Sequence, residues 1–294
     1  MSTHAVNHSS CVKCELCVLI CPAGIVSQTD TGEIFFRQDR VDVCIKCGHC
    51  MAMCGHKSIS IEGLSYDKNF QTMPGLTFDP TAFKNFLLTR RSVRVFQDRP
   101  VPVELLEKIV DMLSTVPFGV HQDNVQINIV SDKRIIEESI PLMSEMYKWM
   151  HKIFRMPLLG WLILKSMPKE ISNTMKNFIM PHIDKGFYIH PDKIDDIARN
   201  APAMILFHAP KGAEEHTADA HICLTYALLA AHSLGLGSTA VGLIGPAINH
   251  SKPLRKLFQI PEGNEVVEAM IVGYPKYRFK HAIVRPKKHV TYLG

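Results

Sequence analysis

Eight of the nine cysteines lie within the first 54 residues, in two runs with the same spacing. The runs extend from Cys11 to Cys21 and from Cys44 to Cys54, and each reads C-x2-C-x2-C-x3-C. In this spacing three thiolates of a run surround one [4Fe–4S] cube, and the fourth thiolate binds the cube of the other run. The predicted ligands are Cys11, Cys14, Cys17 and Cys54 for cluster I, and Cys44, Cys47, Cys50 and Cys21 for cluster II.

Two other uses of these cysteines fit the pattern less well. A disulfide framework is typical of exported proteins, and the opening residues MSTHAVNHSS lack the apolar core of a signal peptide. Zinc sites usually pair two cysteines with a second pair or with histidines, and they do not need the four-cysteine run twice. The ninth cysteine, Cys223, lies on an apolar helical face, which predicts a buried structural thiol.

Residues 8–62 resemble the bacterial two-cluster ferredoxins. The resemblance rests on both cysteine runs and on the strand-like alternation at 58–61, although Gly55 stands where a proline usually follows the last cysteine. Crossed ligation would hold together a domain that is too small to be stabilised by its core alone. We therefore expect a two-[4Fe–4S] ferredoxin domain over residues 1–64.

The rest of the chain reads as a linker and a second domain. Residues 65–79 show no clear period and contain Pro74 and Gly75, which predicts a linker. Asp79 and Pro80 then suit the N-cap and first position of a helix. Further elements are predicted as a helix from Pro102 to about Val116, strands at 125–130, 203–208 and 266–273, and a helix at 216–234. This order favours an α+β domain over residues 80–294.

A cluster of anion-binding side chains follows the helix that Pro80 opens. Arg90, Arg91, Ser92 and Arg94 place three guanidinium groups and a hydroxyl within five positions. The planar fork of arginine suits phosphate because it donates two parallel hydrogen bonds. A solvated surface patch is the alternative. Neither a Rossmann fingerprint nor a P-loop occurs in the sequence.

A second basic cluster follows the last predicted strand. Lys276 and Arg278 alternate in sequence, so both side chains would point to one side if the strand continued. Neither this cluster nor the arginines identify a ligand by themselves.

Over residues 80–294 the chain resembles the nitroreductase-like flavoproteins, which are homodimers with FMN at the subunit interface. The resemblance rests on RRSVRVF at 90–96, GLGSTAVG at 235–242 and GYPKYR at 273–278. The whole chain resembles the ferredoxin–nitroreductase fusions of anaerobes. The resemblance therefore implies an α+β nitroreductase-like fold, bound FMN and a homodimer.

The same resemblance implies roles for individual residues. Arg90, Arg91, Ser92 and Arg94 would contact the phosphate, the ribityl chain and the ring edge of FMN. Lys276 and Arg278 would complete the phosphate site. The backbone at Val241 and Gly242 would pass close to the isoalloxazine ring.

One segment departs from the family pattern. The family loop that lines the flavin from the other subunit corresponds here to residues 117–124, so Pro117, Phe118, Gly119 and His121 are further candidates for flavin contact. His121 stands where the family usually has asparagine. A histidine has a suitable pKa range for a proton donor near neutral pH, which makes His121 the candidate catalytic acid; an exposed or structural histidine is the alternative.

Residues 132–200 form a long, methionine-rich segment with Trp149, Phe154 and Trp161 among basic residues. Three interpretations remain open: an extra helical layer or dimer-packing arm, a helical lid over a substrate pocket, and a helix on a membrane surface.

The charge distribution limits the possible partners. The net charge of +5 divides into −1 for residues 1–64 and +6 for the remainder. No basic block or nucleic-acid motif is present, so no nucleic-acid partner is expected. A basic domain suits an anionic cofactor and an acidic electron carrier. No apolar run reaches the length of a membrane span, and a cytoplasmic location without membrane contact is expected.

Together these features predict an oxidoreductase. An external low-potential donor such as ferredoxin would deliver single electrons to the two clusters, and FMN would pass them on to a small organic acceptor, nitroaromatic or other. Two alternatives stay open: a relay that delivers electrons to a protein partner, and a flavin-dependent reductase for enoate or dehalogenation chemistry.

Overall fold

A computed structural model of the chain describes residues 4–75, 78–120, 123–188, 195–286 and 288–294. The chain folds as two compact units, one built from the segment that ends at Phe78 and the other mainly from Asp79–Gly119 and Asp123–Gly294. No helix within the described ranges combines the length and the apolar character needed to cross a membrane.

The first unit consists of two small antiparallel sheets and short helices. Its elements are β1 Ala5–Val6, α1 Leu16–Leu19, β2 Val26–Gln28, β3 Ile34–Phe36, a 3-10 turn Val41–Val43, α2 His49–Ala52, β4 Ile59–Ser60 and α3 Tyr66–Asn69. Strand β1 pairs with β4, and β2 pairs with β3. Because the strands are only two or three residues long, most of the chain between them is turn.

The two cysteine runs have the same backbone conformation. Lys13 and Lys46, which precede the second cysteine of each run, have φ of 58° and 51°. Glu15 and Gly48, which follow that cysteine, have φ of 65° and 75°. A left-handed residue other than glycine costs roughly 1–2 kcal/mol. The same left-handed positions in both runs indicate two copies of one ligand-bearing turn.

The segment predicted as a linker belongs in part to the first unit. The rings of Tyr66 and Phe70 lie 5.4 Å apart and, with Leu64, pack against the core that contains Ile59 and Ile61. The linker prediction is therefore wrong for residues 65–70. These two aromatic residues are four positions apart, so a single helical turn is enough to bring both onto one face.

The second unit contains a four-stranded antiparallel sheet. Its strands are β5 Gln126–Val130, β6 Ala203–Pro210, β7 Gly237–Ala240 and β8 Asn264–Gly273, in the order β5-β6-β8-β7. Helices surround the sheet: α4 Pro80–Thr89, α5 Val103–Met112, α6 Lys133–Phe154, α7 Pro157–Ser166, α8 Lys169–Thr174, a π-helix Met175–Ile179, α9 Met180–Asp184, α10 His216–Ser233, α11 Ile244–Asn249 and α12 Lys252–Leu257. The predicted α+β class is confirmed.

Strand β6 is buried on both faces, because each face of the sheet carries its own core. Met204 and Leu206 pack on the side of α6, α11 and α12. Ile205 and Phe207 point the other way and pack with α5 and α10. This double burial explains why β6 reads as a continuous apolar run and does not alternate with polar residues.

The start of α4 follows the sequence prediction closely. The Asp79 carboxylate accepts a hydrogen bond from the Thr81 N–H at 2.9 Å, and Pro80 occupies the first helical position. The helix ends at Thr89, so the arginine cluster begins where its hydrogen-bonding ladder stops.

The first half of α6 belongs to the core of the second unit. Ile136, Ile140, Met143 and Tyr147 recur at helical spacing, and all four are buried in the core on one face of the sheet. The Tyr147 hydroxyl donates to the Leu243 carbonyl at 2.5 Å. Of the three interpretations of residues 132–200, this part fits the extra helical layer.

Candidate functional site

The eight clustered cysteines separate into two groups of four. Cys11, Cys14, Cys17 and Cys54 line one cavity. Cys21, Cys44, Cys47 and Cys50 line a second cavity. In each cavity three cysteines come from one run and the last cysteine from the other run, which is the grouping that crossed ligation requires. Within the described residues, no three His, Cys, Asp or Glu side chains are grouped so as to share a single metal ion.

Burial perturbs the thiols of both groups. Burial raises the pKa of Cys50 to about 12, and it also raises the pKa of Cys17 and Cys44. The last cysteine of each run accepts a backbone hydrogen bond: Ile25 N–H to Cys21 Sγ at 3.4 Å, and Ser58 N–H to Cys54 Sγ at 3.2 Å.

The arginine segment lies along the edge of the sheet in the second unit. Ser92 pairs with Ser238 in a parallel bridge, and the Val93 N–H donates to the Ser238 carbonyl at 3.1 Å. Further along, the Lys276 N–H donates to the Val95 carbonyl at 3.1 Å. These backbone contacts bring the segment after α4 together with the segment after β8.

Two glycines make this close approach possible. A Cβ on Gly237 would lie 2.7 Å from a methyl carbon of Val93. A Cβ on Gly273 would lie 2.6 Å from Pro202 and 2.9 Å from the ring of Phe96. All three distances are shorter than carbon atoms tolerate, so only glycine permits the arginine segment to lie this close to β7 and β8.

We expect Gly237→Ala to destabilise the second unit by about 1–3 kcal/mol, because the added methyl group overpacks the contact with Val93. Urea unfolding followed by circular dichroism measures the change. Val93→Ala would not relieve the contact, because the Val93 Cβ itself would lie 2.8 Å from the added atom. Gly242→Ala is the matched control, since a Cβ there meets nothing within 4 Å. A Gly237→Ala protein as stable as the parent would contradict the packing argument.

The two basic clusters meet at a cavity of about 430 Å³. Arg90, Arg91, Arg278 and Lys280 contribute to its wall, and no carboxylate does. None of these four cations forms an ion pair with any residue that the structure describes. Four cationic side chains without counter-charges make this cavity suitable for an anion.

The surroundings of Arg90 and Arg91 also favour an anionic ligand. Burial first, and then the nearby Arg91 and Arg285, lower the pKa of Arg90. Arg91 donates to the carbonyls of Arg90 and Ile283, but its buried Nε has no hydrogen-bond partner within the described chain. A buried donor without a partner is costly, and an anionic ligand would satisfy it.

The cavity contains some of the predicted flavin residues and lacks others. Arg90, Arg91 and Arg278 line it, whereas Ser92, Arg94 and Lys276 do not. Strand β8 ends at Gly273, so Lys276 and Arg278 do not share a strand face as the alternation suggested. Lys276 is exposed, with Nζ 5.9 Å from the centre of the Tyr277 ring.

The remaining predicted residues lie elsewhere. Val241 and Gly242 follow β7, and Gly242 lies at the edge of a second, apolar cavity. Pro117, Phe118 and Gly119 line neither this cavity nor the cationic one. The Gly119 N–H donates to Asp219 of α10 at 2.9 Å. His121, the predicted catalytic acid, falls outside the described residues.

Sequence reasoning missed several residues of the cationic cavity, including His232 and Lys280. His232 bonds through Nε2 to the Thr89 hydroxyl at 2.9 Å, and burial lowers its pKa. His232 lies in the last turn of α10, and nothing in its local sequence marks it as a ligand-binding residue. Lys280 lies two residues beyond Arg278, so extending the basic cluster would have found it.

Comparison with known proteins relates both units to characterised families. The model of the nitroreductase family matches residues 87–274. A model described as a 4Fe-4S dicluster domain matches residues 10–59. A protein of Methanothermobacter thermautotrophicus, provisionally described as an NADH dehydrogenase/NAD(P)H nitroreductase, is 26% identical over 191 residues, which cover 64% of this chain and 74% of the relative.

Solved structures resemble the same part of the chain. A nitroreductase with bound FMN from Bacteroides fragilis has a TM-score of 0.52 at 16% identity, over 71% of this chain and 97% of that chain. A nitroreductase with bound FMN from Desulfitobacterium hafniense has a TM-score of 0.52 at 20% identity, over 72% and 97%. At this level of identity the likeness shows the fold.

Proposed function

Because the chain belongs to the nitroreductase family and carries a 4Fe-4S dicluster ferredoxin domain at its N-terminus, we propose that this oxidoreductase binds FMN and two [4Fe–4S] clusters. It would take single electrons from an external low-potential donor such as ferredoxin and reduce a small organic acceptor. The observation that carries the proposal is the cationic cavity. Two groups of basic side chains that are far apart in sequence line it together.

The cationic cavity fits the phosphate of FMN. A phosphate monoester is close to a dianion at neutral pH, and its removal from water requires fixed donors and positive charge. Arg90, Arg91, Arg278 and Lys280 supply the charge, and the free Nε of Arg91 supplies a buried donor. When bound, FMN exchanges one electron at a time with a cluster and two with an organic acceptor.

The backbone beside Gly242 is suited to a flat ring. Gly242 is exposed, and a Cβ at this position would meet nothing within 4 Å. The Val241 N–H donates to the Ala269 carbonyl at 2.9 Å, which anchors the loop to β8. The chain's own contribution here is a fixed and unobstructed backbone against which the isoalloxazine would lie.

The two cysteine cavities support cubane binding with crossed ligation, since each gathers four thiols from both runs. Cluster binding requires the thiols to lose their protons, so it is linked to pH. Each unit would therefore contribute one part of the function: the first accepts single electrons, and the second holds the flavin.

The segment Pro117–Gly119 is proposed to contact FMN across a homodimer interface. In the described chain it does not line the cationic cavity, so contact with a flavin would have to involve another subunit. The bond from Gly119 N–H to the buried Asp219 holds this segment against α10. The predicted role of His121 as a proton donor stays a prediction.

A nicotinamide donor is the competing proposal, because the described activity of the Methanothermobacter relative names NADH and NAD(P)H. The two proposals differ in how electrons enter the protein. A ferredoxin-type donor would need the clusters, whereas a nicotinamide could reduce the flavin directly.

We expect reduced ferredoxin, or a chemical one-electron reductant, to reduce the bound flavin faster than NADH or NADPH does. The sequence contains no dinucleotide fingerprint, and its first unit is suited to one-electron input. Stopped-flow absorbance under argon measures the rates. The control is a Cys14→Ala/Cys47→Ala variant, which should lose the fast phase. Rapid, saturable oxidation of NADPH by that variant would contradict electron entry through the clusters.

A further inference from the structure

The second unit contains another cavity, of about 650 Å³, whose chemistry is opposite to that of the cationic cavity. It lies between α6, α7, the helical stretch 169–179 and the loop that begins at Gly242. Pockets for small organic molecules typically measure roughly 300–1,000 Å³, so its size suits a molecule of two or three rings.

The lining of this cavity is almost entirely apolar. Four methionines, four isoleucines and the aromatic residues Tyr147, Trp149 and Phe154 form most of it. Methionine side chains are flexible and polarisable, so they adapt to ligands of different shape and make favourable contacts with aromatic rings. An apolar and aromatic ligand would gain most from such a lining.

The few polar groups of the cavity favour a particular charge. Glu170 is its only carboxylate, and no lysine or arginine contributes to the lining. Glu170 is exposed at the rim and forms no ion pair within the described part of the chain. The Tyr147 hydroxyl is already bonded to the Leu243 carbonyl. Two further polar side chains line the cavity, and both bond to backbone carbonyls: Thr174 to Glu170 at 2.9 Å and His250 Nδ1 to Pro246 at 2.8 Å. A neutral ligand is therefore accommodated and a cationic group can approach Glu170, whereas an anionic group finds no lysine or arginine.

The cavity adjoins the backbone proposed to contact the flavin, because Gly242 and Leu243 both line it. An occupant would thus lie beside the backbone along which the isoalloxazine is proposed to lie. From these observations we infer that the cavity is the acceptor site, and that the acceptor is a neutral or cationic apolar aromatic molecule and not an anionic one. This inference rests on the proposed function.

Three redox-inert probes with one skeleton test the inference: biphenyl-4-methanol, biphenyl-4-methanamine and biphenyl-4-carboxylate. Isothermal titration calorimetry on the full-length, FMN-loaded protein under argon measures each affinity. We expect the alcohol and the amine to bind at least about tenfold more tightly than the carboxylate, because burial of an unpaired charge is costly. Equal affinities, or failure of the alcohol and the amine to bind, would overturn the inference.

Two matched variants place the probe in the cavity. Ile171 lines it and is 51% exposed, whereas Leu162 of α7 is 48% exposed and does not line it. Ile171→Asp should weaken binding of the alcohol about tenfold or more, and Leu162→Asp should leave it unchanged. If both substitutions weaken binding equally, or if neither weakens it, the probe binds elsewhere.

Glu170→Gln tests the charge preference separately, since it should abolish any advantage of the amine over the alcohol. Light scattering of the Ile171→Asp variant tests whether a second copy of the chain covers the cavity. An unchanged mass supports a small-molecule site. A change of oligomeric state would overturn the inference, because the cavity would then be an interface between two copies of the chain. Flavin content, read from absorbance, tests the proposed function independently. A protein that retains FMN but fails to bind the probes refutes only the inference.

Discussion

Arg278→Ala is expected to weaken FMN binding ten- to a hundredfold while both clusters stay in place. Hydrogen bonds to a charged group contribute roughly 1.5–3 kcal/mol each, and Arg278 is one of four cations that line the cavity without a carboxylate. The measurement is the dissociation constant of FMN from fluorescence titration of the apo-flavin protein, with iron analysis alongside.

Two control variants make this expectation specific. Lys276→Ala removes a charge two residues away that does not line the cavity, so its effect should be clearly smaller. Arg37→Ala removes a cation of the first unit that pairs with Asp39 at 2.6 Å and should not alter flavin affinity. If the Arg278 variant retains FMN as tightly as the parent, the phosphate is held elsewhere.

The second large effect concerns iron. Anaerobically prepared protein should carry about eight irons per chain, in two cubes of four, and Cys50→Ala should reduce the content to about four. Cys50 is a buried member of the group that lines the second cysteine cavity. Iron and sulfide analysis measures the loss, and Cys223→Ala, a buried cysteine outside both runs, is the control. Stoichiometric zinc without sulfide would contradict the expectation.

Double variants separate crossed from local ligation. Under crossed ligation, Cys11 and Cys54 serve one cluster, so the variant with both replaced should lose no more iron than Cys11→Ala alone. The pair Cys44 and Cys54 lies in one run but should serve two clusters, and its replacement should remove nearly all iron. The opposite pattern would show that each run holds its own cluster.

The sequence was most informative where ligands lie close together along the chain. The cysteine spacing predicted the same two groups of four that line the two cavities, because each C-x2-C-x2-C turn is local and only Cys21 and Cys54 exchange partners. The cap at Asp79 and Pro80 was predictable for the same reason, since a helix start depends on a few adjacent residues.

Contacts between distant segments were harder to predict. Nothing in the sequence pairs Val93 with Gly237, yet this contact sets the arginine segment against the sheet. Arg278 and Lys276 looked equivalent, and only the end of β8 at Gly273 distinguishes them. Tyr66 and Phe70 read as linker residues because a single helical turn is too short to produce a recognisable period.

The burial of Cys17 and Cys50 in the core of the first unit has a consequence for biogenesis. These side chains are at once packing residues and proposed metal ligands, so maturation of this unit should depend on the cellular supply of iron and sulfide. The cores of the second unit contain no proposed metal ligand. Iron starvation should therefore yield chains in which the second unit is mature and the first unit is not, and limited proteolysis of such chains should remove the first unit first.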